Sequence, residues 1–367
     1  MDDTRAVDFL VRRNALGDCK FAPAPDPEKA ALAAGDVLVS VDRFAFTANN
    51  VTYGVAGDMM NYWSFFPAEE GWGRIPVWGF GDVRRSSHDA VPEGERLFGY
   101  FPMSTHLVIR AGAVTPTTVV DTSAHRTKLP PIYNQYSRTG ADPLYDRETE
   151  DRQMLFRPLF LTAFLLDDFL AASDLFGARA VILTSASSKT AFALASLLSK
   201  NRRAPGGGVI GLTSARNVGF VEGLRCYDRV VRYDDVGSIA SKTPVAIVDM
   251  AGNGELLATL HRHFGDGVKL SCLVGLTHYD RMERPKDLPG AAPTFFFAPD
   301  QARKRAQEWG PGGLQQRTTS AWREFLEASQ GWIRVVHGRG PADVERIYRA
   351  TLEGRASPAE GYVLSLR

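Results

Sequence analysis

Small hydroxyl side chains and one cation are concentrated in a short turn near the middle of the chain. An apolar run, Ala180–Thr184, precedes the turn and predicts a buried strand, and apolar residues at helical spacing follow it from Phe192 to Leu198. A strand that leads into a helix N-terminus in this way is typical of a phosphate site, because the first helical N–H groups and the helix dipole favour an anion. The candidate ligands are Ser185, Ser187, Ser188, Lys189 and Thr190.

The composition excludes several classes of protein. A formal net charge of +1 over 367 residues gives no electrostatic argument for nucleic acid or for an anionic membrane. The three cysteines, Cys19, Cys226 and Cys272, are too widely spaced for a disulfide framework or a Cys-x-x-Cys zinc pair. No segment approaches the roughly 20 apolar residues of a membrane span, and no signal-peptide core is visible. We therefore expect a cytoplasmic enzyme or binding protein that acts on a small molecule.

The elements that position the turn alternate regularly between strand and helix. Strands are predicted at 209–213, 229–233, 245–250 and 269–275, with helices at 217–224 and 255–264 between them, and 295–297 is predicted to be a last buried run. This alternation indicates an α/β fold with a doubly wound parallel sheet of the Rossmann type. Ligands of such sheets bind at the carboxyl ends of the strands.

The residues before the turn have a different character. Short apolar runs such as 37–41 and 105–109 predict a β-rich domain, and the polar, turn-rich span 119–151 is longer than an ordinary connection and predicts a lid-like insertion. Aromatic and amide side chains are dense between residues 44 and 83, either as a core or as the wall of a pocket for a flat, apolar ligand. The predicted domains are 1–156 for the substrate, 157–299 for the nucleotide, and a segment, 300–367, that returns to the first.

The order of these pieces resembles the medium-chain dehydrogenase/reductase superfamily, on its zinc-free quinone and enoyl reductase side, as a divergent branch. The resemblance implies a GroES-like β domain, a Rossmann-type nucleotide domain, a homodimer, and a role for Thr162 near the cofactor. The chain departs from the family at Ser188, Lys189 and Ala191, which stand where glycines are expected. Hydroxyl groups and the charge of Lys189 can compensate in part for the lost close approach of the backbone. The matching segments are 35–39, 47–51, 162–163, 180–191 and 352–364.

The residues after the second nucleotide strand favour NADPH over NADH. An NAD site has an acidic residue near this point, whereas this chain offers Ser214 and Arg216, a hydroxyl and a guanidinium that suit a 2′-phosphate. An ordinary surface arginine is the alternative. Ala251 and Gly275, at later strand ends, are predicted to line the same cleft, unless they only terminate strands. A Walker-type loop is excluded because Leu183 and Ser188 replace its glycines.

Reduction of a conjugated carbonyl compound needs no metal if a side chain stabilises the developing negative oxygen and another donates a proton. No metal site is predicted. The candidate catalytic residues are Asn50, Tyr53, Tyr62 and Tyr136. Packing is the alternative role for each tyrosine, and bracing of its loop is the alternative role for Asn50.

Three functions remain open at this point. The first is a metal-free, NADPH-dependent reductase of a quinone, enone or related carbonyl compound. The second is a non-redox enzyme on the same fold, a carbon–carbon lyase or isomerase of a carbonyl compound. The third is a non-catalytic regulator that binds NADPH. Nucleotide binding and turnover distinguish them.

Overall fold

The computed structural model describes residues 6–204, 206–274, 287–310 and 312–367. The chain forms two compact units: unit 1 comprises residues 1–155 and 334–367, and unit 2 comprises residues 156–333. The strands are β1 (Val7–Arg12), β2 (Ala15–Pro23), β3 (Asp36–Phe46), β4 (Trp72–Gly73), β5 (Pro76–Ser86), β6 (Arg96–Pro102), β7 (His106–Val114), β8 (Thr118–Asp121), β9 (Gln135–Arg138), β10 (Ala180–Leu183), β11 (Gly208–Thr213), β12 (Arg229–Arg232), β13 (Val245–Asp249), β14 (Val268–Leu273), β15 (Pro293–Phe295), β16 (Arg334–Arg339) and β17 (Glu360–Ser365). The helices are α1 (Ala48–Val55), α2 (Glu150–Ala172), α3 (Lys189–Lys200), α4 (Val218–Gly223), α5 (Gly254–Phe264), α6 (Ala298–Trp309), α7 (Gly313–Ala328) and α8 (Gly340–Leu352).

Unit 1 is built around a closed antiparallel sheet. Its strands follow the order β3-β5-β6-β9-β8-β7, and β7 pairs with β3 to close the ring. β17 pairs antiparallel with the far end of β3, and β16 extends the sheet beside β17. Consecutive residues of β3 from Val37 to Val41 are all buried, which means that both faces of this strand are covered. The span 119–151 supplies β9 and most of β8 to this ring.

Unit 2 contains a parallel six-stranded sheet in the order β12-β11-β10-β13-β14-β15. Numbered within the sheet this is 3-2-1-4-5-6, the order of dinucleotide-binding Rossmann folds. All four residues of β10 are fully buried, as the uninterrupted apolar run predicts. The predicted mixed α/β fold with a parallel sheet and a β-rich domain is therefore confirmed.

The prediction of a buried run at 295–297 is wrong. Phe295 is 53% exposed, and Phe296 and Phe297 are only partly buried. The reason is that, among the described strands, β15 lies at the edge of the sheet, and it ends at Phe295. Within the part of the chain that the structure describes, no helix combines the length and apolar character needed to cross a membrane.

Candidate functional site

The predicted phosphate turn lies between β10 and α3 in unit 2. The Ser188 hydroxyl caps α3 by accepting a hydrogen bond from the Ala191 N–H at 3.3 Å, and the Ser188 N–H donates to the Ser185 carbonyl at 2.8 Å. Ser185 itself has a left-handed backbone conformation with φ of +49°. Such a conformation is uncommon for serine, so the tight reversal is imposed by the surrounding fold.

Two strand ends are joined directly beside this turn. The Thr184 hydroxyl donates to Asp249 Oδ1 and accepts from the N–H groups of Met250 and Ala251 at 2.9 and 3.0 Å. Thr184 follows β10 and Asp249 ends β13, and these neighbouring strands are where the strand order of the sheet reverses. In open α/β sheets the ligand crevice lies outside the carboxyl ends of the strands at this switch point. Ala251, which we predicted to line the cleft, is fully buried and donates its N–H to the Thr184 hydroxyl, and its place at the cleft stays a prediction.

The segment after β11 is tied to the same turn. Asn217 Nδ2 donates to the Ser187 hydroxyl at 3.1 Å. Ser214 is partly exposed and Arg216 is exposed. Thr213, the last residue of β11, is buried, and its hydroxyl has no hydrogen-bond partner among the described residues. An unsatisfied buried hydroxyl at a strand's carboxyl end fits a ligand that carries hydrogen-bonding groups, as a nucleotide does.

Lys189 and Thr190 form the first turn of α3, and both are partly exposed. Burial lowers the pKa of the Lys189 amine to about 8. Thr162 lies in α2, where its hydroxyl donates to the Pro158 carbonyl at 3.5 Å. The predicted cleft residue Gly275 lies outside the described residues. The assignment of these positions to a cofactor stays a prediction.

Two tyrosines that the sequence analysis missed support the turn. The Tyr227 hydroxyl donates to the Ala186 carbonyl at 2.8 Å. Tyr233, just after β12, hydrogen-bonds with Ser185, and burial raises the pKa of Tyr233 to about 12. Gly211 packs closely against Ala186 of the turn. A Cβ on Gly211 would lie only 2.9 Å from the Ala186 Cβ, so a larger residue would not fit. No local pattern marks these tyrosines, because their partners are distant in sequence.

Unit 1 gathers the predicted catalytic tyrosines Tyr53 and Tyr62 into one aromatic cluster. Their ring centroids are 4.7 Å apart, and both side chains are buried. Tyr100 lies 5.6 Å from Tyr53, and Tyr133 lies 6.0 Å from Tyr62 and 4.8 Å from Tyr100. Trp78 completes the cluster at 5.1 Å from Tyr100. We call Tyr53, Tyr62, Trp78, Tyr100 and Tyr133 the aromatic box.

The polar atoms of the aromatic box are concentrated around Tyr53. Burial raises the pKa of Tyr53 well above its ordinary value, and nearby Tyr133 adds to the shift, whereas Trp78, Asn49 and Tyr100 oppose it. These three groups therefore stabilise negative charge on the Tyr53 oxygen. Burial also raises the pKa of Tyr62, whose hydroxyl interacts with that of Tyr133.

Asn50 and Tyr136 have partners outside the aromatic box. Asn50 Oδ1 accepts from the Thr47 N–H at 2.8 Å, and Asn50 Nδ2 donates to the Pro76 carbonyl at 2.9 Å, so the amide braces the start of α1. The Tyr136 hydroxyl donates to the Tyr100 carbonyl at 2.8 Å and accepts from Arg126 Nη1 at 3.2 Å. Both residues thus fix backbone around the cluster, and their predicted catalytic role stays a prediction.

A fully buried arginine holds this part of the insertion in place. Arg126 pairs with buried Asp121 at 3.1 Å, and its guanidinium lies 4.6 Å from the ring centre of Phe66. Its carbonyl accepts from Asn134 Nδ2 at 3.0 Å. A buried charge without its partner is strongly destabilising, so Arg126 and Asp121 act as one structural unit.

Among the residues that the structure describes, no three His, Cys, Asp or Glu side chains are grouped so as to hold a metal ion. The two candidate sites carry hydroxyls, amides, backbone N–H groups, the Asp249 carboxylate, the Lys189 amine and the Arg216 guanidinium. The donors among these groups can bind phosphate and donate hydrogen bonds or a proton.

Several solved structures with the same fold are described as reductases or oxidoreductases, so the resemblance is confirmed for the fold. A putative NADPH:quinone reductase from Mesorhizobium loti matches with a TM-score of 0.58 at 11% identity, covering 99% of both chains. CurA from Vibrio vulnificus, solved in complex with NADPH, matches with a TM-score of 0.56 at 11% identity and the same coverage. The yhdH oxidoreductase from Salmonella enterica, solved with NADP, matches with a TM-score of 0.50 at 14% identity over 99% of this chain and 100% of that chain.

Comparison with models of protein families assigns the chain to one family. A family model described as protein of unknown function, DUF2855, matches residues 44–357, and the chain belongs to this family. No curated protein matches the sequence. The identities of 11–14% to the solved structures agree with the predicted divergent branch of the superfamily.

Proposed function

We propose that the protein is a metal-free, NADPH-dependent reductase of a quinone, enone or related conjugated carbonyl compound. The observation that carries the proposal is the switch point of unit 2, where Thr184 and Asp249 join two strand ends beside a capped helix N-terminus. This arrangement suits a dinucleotide because the pyrophosphate is favoured at the helix N-terminus.

The cofactor would be held by residues of three segments in unit 2. When bound, NADPH supplies a hydride. Lys189 and Thr190 at the start of α3 face the pyrophosphate, and the serines of the turn offer hydroxyl donors. Ser214 and Arg216 take the 2′-phosphate, which selects NADPH over NADH. The fold neighbours solved with NADPH and NADP support this assignment.

The aromatic box of unit 1 would hold the substrate and supply the proton. Tyr53 is the better acid, because Trp78, Asn49 and Tyr100 stabilise the anion that it becomes after donating its proton. Tyr62, whose ring lies 4.7 Å from that of Tyr53, is the second candidate acid. We assign unit 1 as the GroES-like substrate domain and expect the protein to act as a homodimer, as the resemblance implies.

Titration with NADPH and NADH, followed by tryptophan fluorescence, tests the proposal. Arg216→Ala is expected to weaken NADPH binding about tenfold or more and to leave the weaker NADH affinity unchanged, because only NADPH carries the 2′-phosphate. Arg262→Ala, an exposed arginine on α5, serves as the matched control and is expected to change neither affinity.

Three outcomes separate the candidate functions. NADPH binding with oxidation of NADPH by a quinone or enone supports the reductase. NADPH binding without turnover over a panel of conjugated carbonyl compounds favours the regulator. Binding of neither nucleotide refutes the reductase and the regulator and leaves the non-redox enzyme.

A further inference from the structure

Two polar atoms of the aromatic box are buried without a hydrogen-bond partner. Trp78 Nε1 and the Tyr100 hydroxyl lie near the Tyr53 oxygen, but among the described residues neither makes a hydrogen bond of acceptable geometry, and Tyr100 is fully buried. Trp78 in β5 stands directly opposite Tyr100 in β6, so the two side chains project from the same face of the sheet. Two adjacent donors are thus left unsatisfied on one wall of the cluster.

Unsatisfied buried donors are rare because each one loses its hydrogen bond to water on folding. An indole N–H can only donate, and a phenol can donate as well. The missing partner is therefore an acceptor, such as a carbonyl oxygen. The surrounding aromatic rings favour a flat, conjugated molecule through stacking and edge contacts.

Tyr133 occupies the position beside this pair of donors. Its ring lies 4.8 Å from that of Tyr100 at an interplanar angle of 35°, and 6.1 Å from that of Trp78 at 46°. It is only partly buried. It projects from a single 3-10 turn, Pro131–Asn134. A short turn of this kind can swing out more readily than a strand of the closed sheet.

The end of that turn and its aromatic tip are held by different partners. Asn134 is buried and donates to the carbonyl of Arg126, which the Asp121 ion pair holds in place. The Tyr133 tip is held by ring contacts and by the interaction of its hydroxyl with that of Tyr62, so a ligand that displaces the ring must replace these contacts while Asn134 remains anchored. Departure of the Tyr133 ring would open a space the size of one aromatic ring against Tyr100 and Trp78.

We infer that the aromatic box binds the conjugated ring of the substrate in the place filled by Tyr133, with the substrate's carbonyl oxygen accepting hydrogen bonds from Trp78 Nε1 and the Tyr100 hydroxyl. Tyr133 then acts as a gate that the substrate displaces. The Tyr53 hydroxyl lies beside the same two groups, so the bound oxygen would be close to the proposed acid. The inference rests on the proposed function for the role of this ligand as a substrate.

Binding of menadione, a flat naphthoquinone, to the full chain without nucleotide tests the site by calorimetry. Trp78→Phe and Tyr100→Phe are each expected to weaken binding about tenfold, because each removes one donor to the carbonyl oxygen. Tyr100→Phe is also expected to raise the urea midpoint of the free protein, because it removes an unsatisfied buried polar atom and keeps the ring. A merely structural role would not combine a more stable free protein with weaker binding.

Tyr133→Ala is expected to tighten menadione binding, because the ring no longer competes for the space. Tyr348→Phe is the matched control: its hydroxyl donates to the Leu16 carbonyl, so its removal lowers the urea midpoint and leaves the menadione affinity unchanged. Absence of binding to both the wild type and Tyr133→Ala overturns the inference, as does an unchanged affinity in Trp78→Phe and Tyr100→Phe. Menadione binding with this pattern in a protein that binds no NADPH would refute the reductase and keep the site.

Discussion

Replacement of Lys189 by methionine is expected to stabilise the free protein and to weaken NADPH binding. Burial lowers the pKa of Lys189 from an ordinary value of 10.5 to about 8, so the folded state holds this charge at a penalty. The shift corresponds to about 3 kcal/mol against folding at pH 7. Because Lys189 as a whole residue is only partly buried, we expect Lys189→Met to recover about 1–3 kcal/mol.

The stability difference between Lys189→Met and the wild type is expected to depend on pH. Below about pH 8 the folded and unfolded states both bind the proton, and the whole penalty is present. As the pH rises from about 8 towards 10.5, the folded state releases the proton first and the penalty disappears. The stability advantage of Lys189→Met over the wild type should therefore be largest at neutral pH and shrink towards pH 10.

Urea unfolding of both proteins between pH 7 and pH 10 measures this difference, and the tyrosines titrate equally in both. Lys200→Met is the control, because Lys200 lies on the same helix with an exposed side chain paired with Glu324. Its replacement should change stability by less than about 1 kcal/mol. A loss of stability in Lys189→Met, or a difference that does not change with pH, would refute the reasoning. A loss of NADPH affinity in the same variant would indicate that the charge of Lys189 binds the cofactor.

Three further outcomes are expected. Gly99→Ala should lower stability by about 1–3 kcal/mol in urea unfolding, because its Cβ would lie 2.3 Å from the Tyr136 ring, and a neutral result would show that the ring can move. Since burial raises the pKa values of Tyr53 and Tyr62 well above 10, kcat at saturating NADPH should show no loss of an acid up to about pH 10; a fall near pH 9 that Tyr53→Phe abolishes would contradict this. Phe295→Glu on the exposed edge strand β15 should convert the proposed homodimer to a monomer in light scattering, and an unchanged mass would place the interface elsewhere.

The parallel sheet was predictable because its signals are local. The central strands β10 and β13 are short apolar runs, Ala180–Leu183 and 245–248, and a polar residue follows each run, so the sequence marks these strands directly. The error at Phe295 has the opposite origin. Its apolar side chain predicts burial, but its place at the sheet edge depends on the pairing of strands that no local pattern reveals.

The candidate site was predictable only in part for the same reason. Thr184 and Asp249 each follow an apolar run, so their place at strand ends was visible, but their hydrogen bond spans 65 positions. The pairing of Trp78 with Tyr100 depends on strand register, and both residues look like ordinary aromatic strand residues in sequence. Likewise, the two hydrogen bonds of Tyr136 are made by groups that only the closed sheet brings together.

The division of unit 1 into two stretches of chain affects the order in which the protein can form on the ribosome. Phe44–Phe46 of β3 pair with Leu364–Tyr362 of β17, which is synthesised only after the whole of unit 2. Unit 2 is continuous, so it can fold as soon as it has emerged, whereas the far end of β3, Phe44–Phe46, stays unpaired on one side until β17 is made. An unpaired, apolar strand edge invites association with other chains. Growing chains are therefore most vulnerable to aggregation between the completion of β9 and the arrival of β17, and a chaperone that shields β3 would act in that interval.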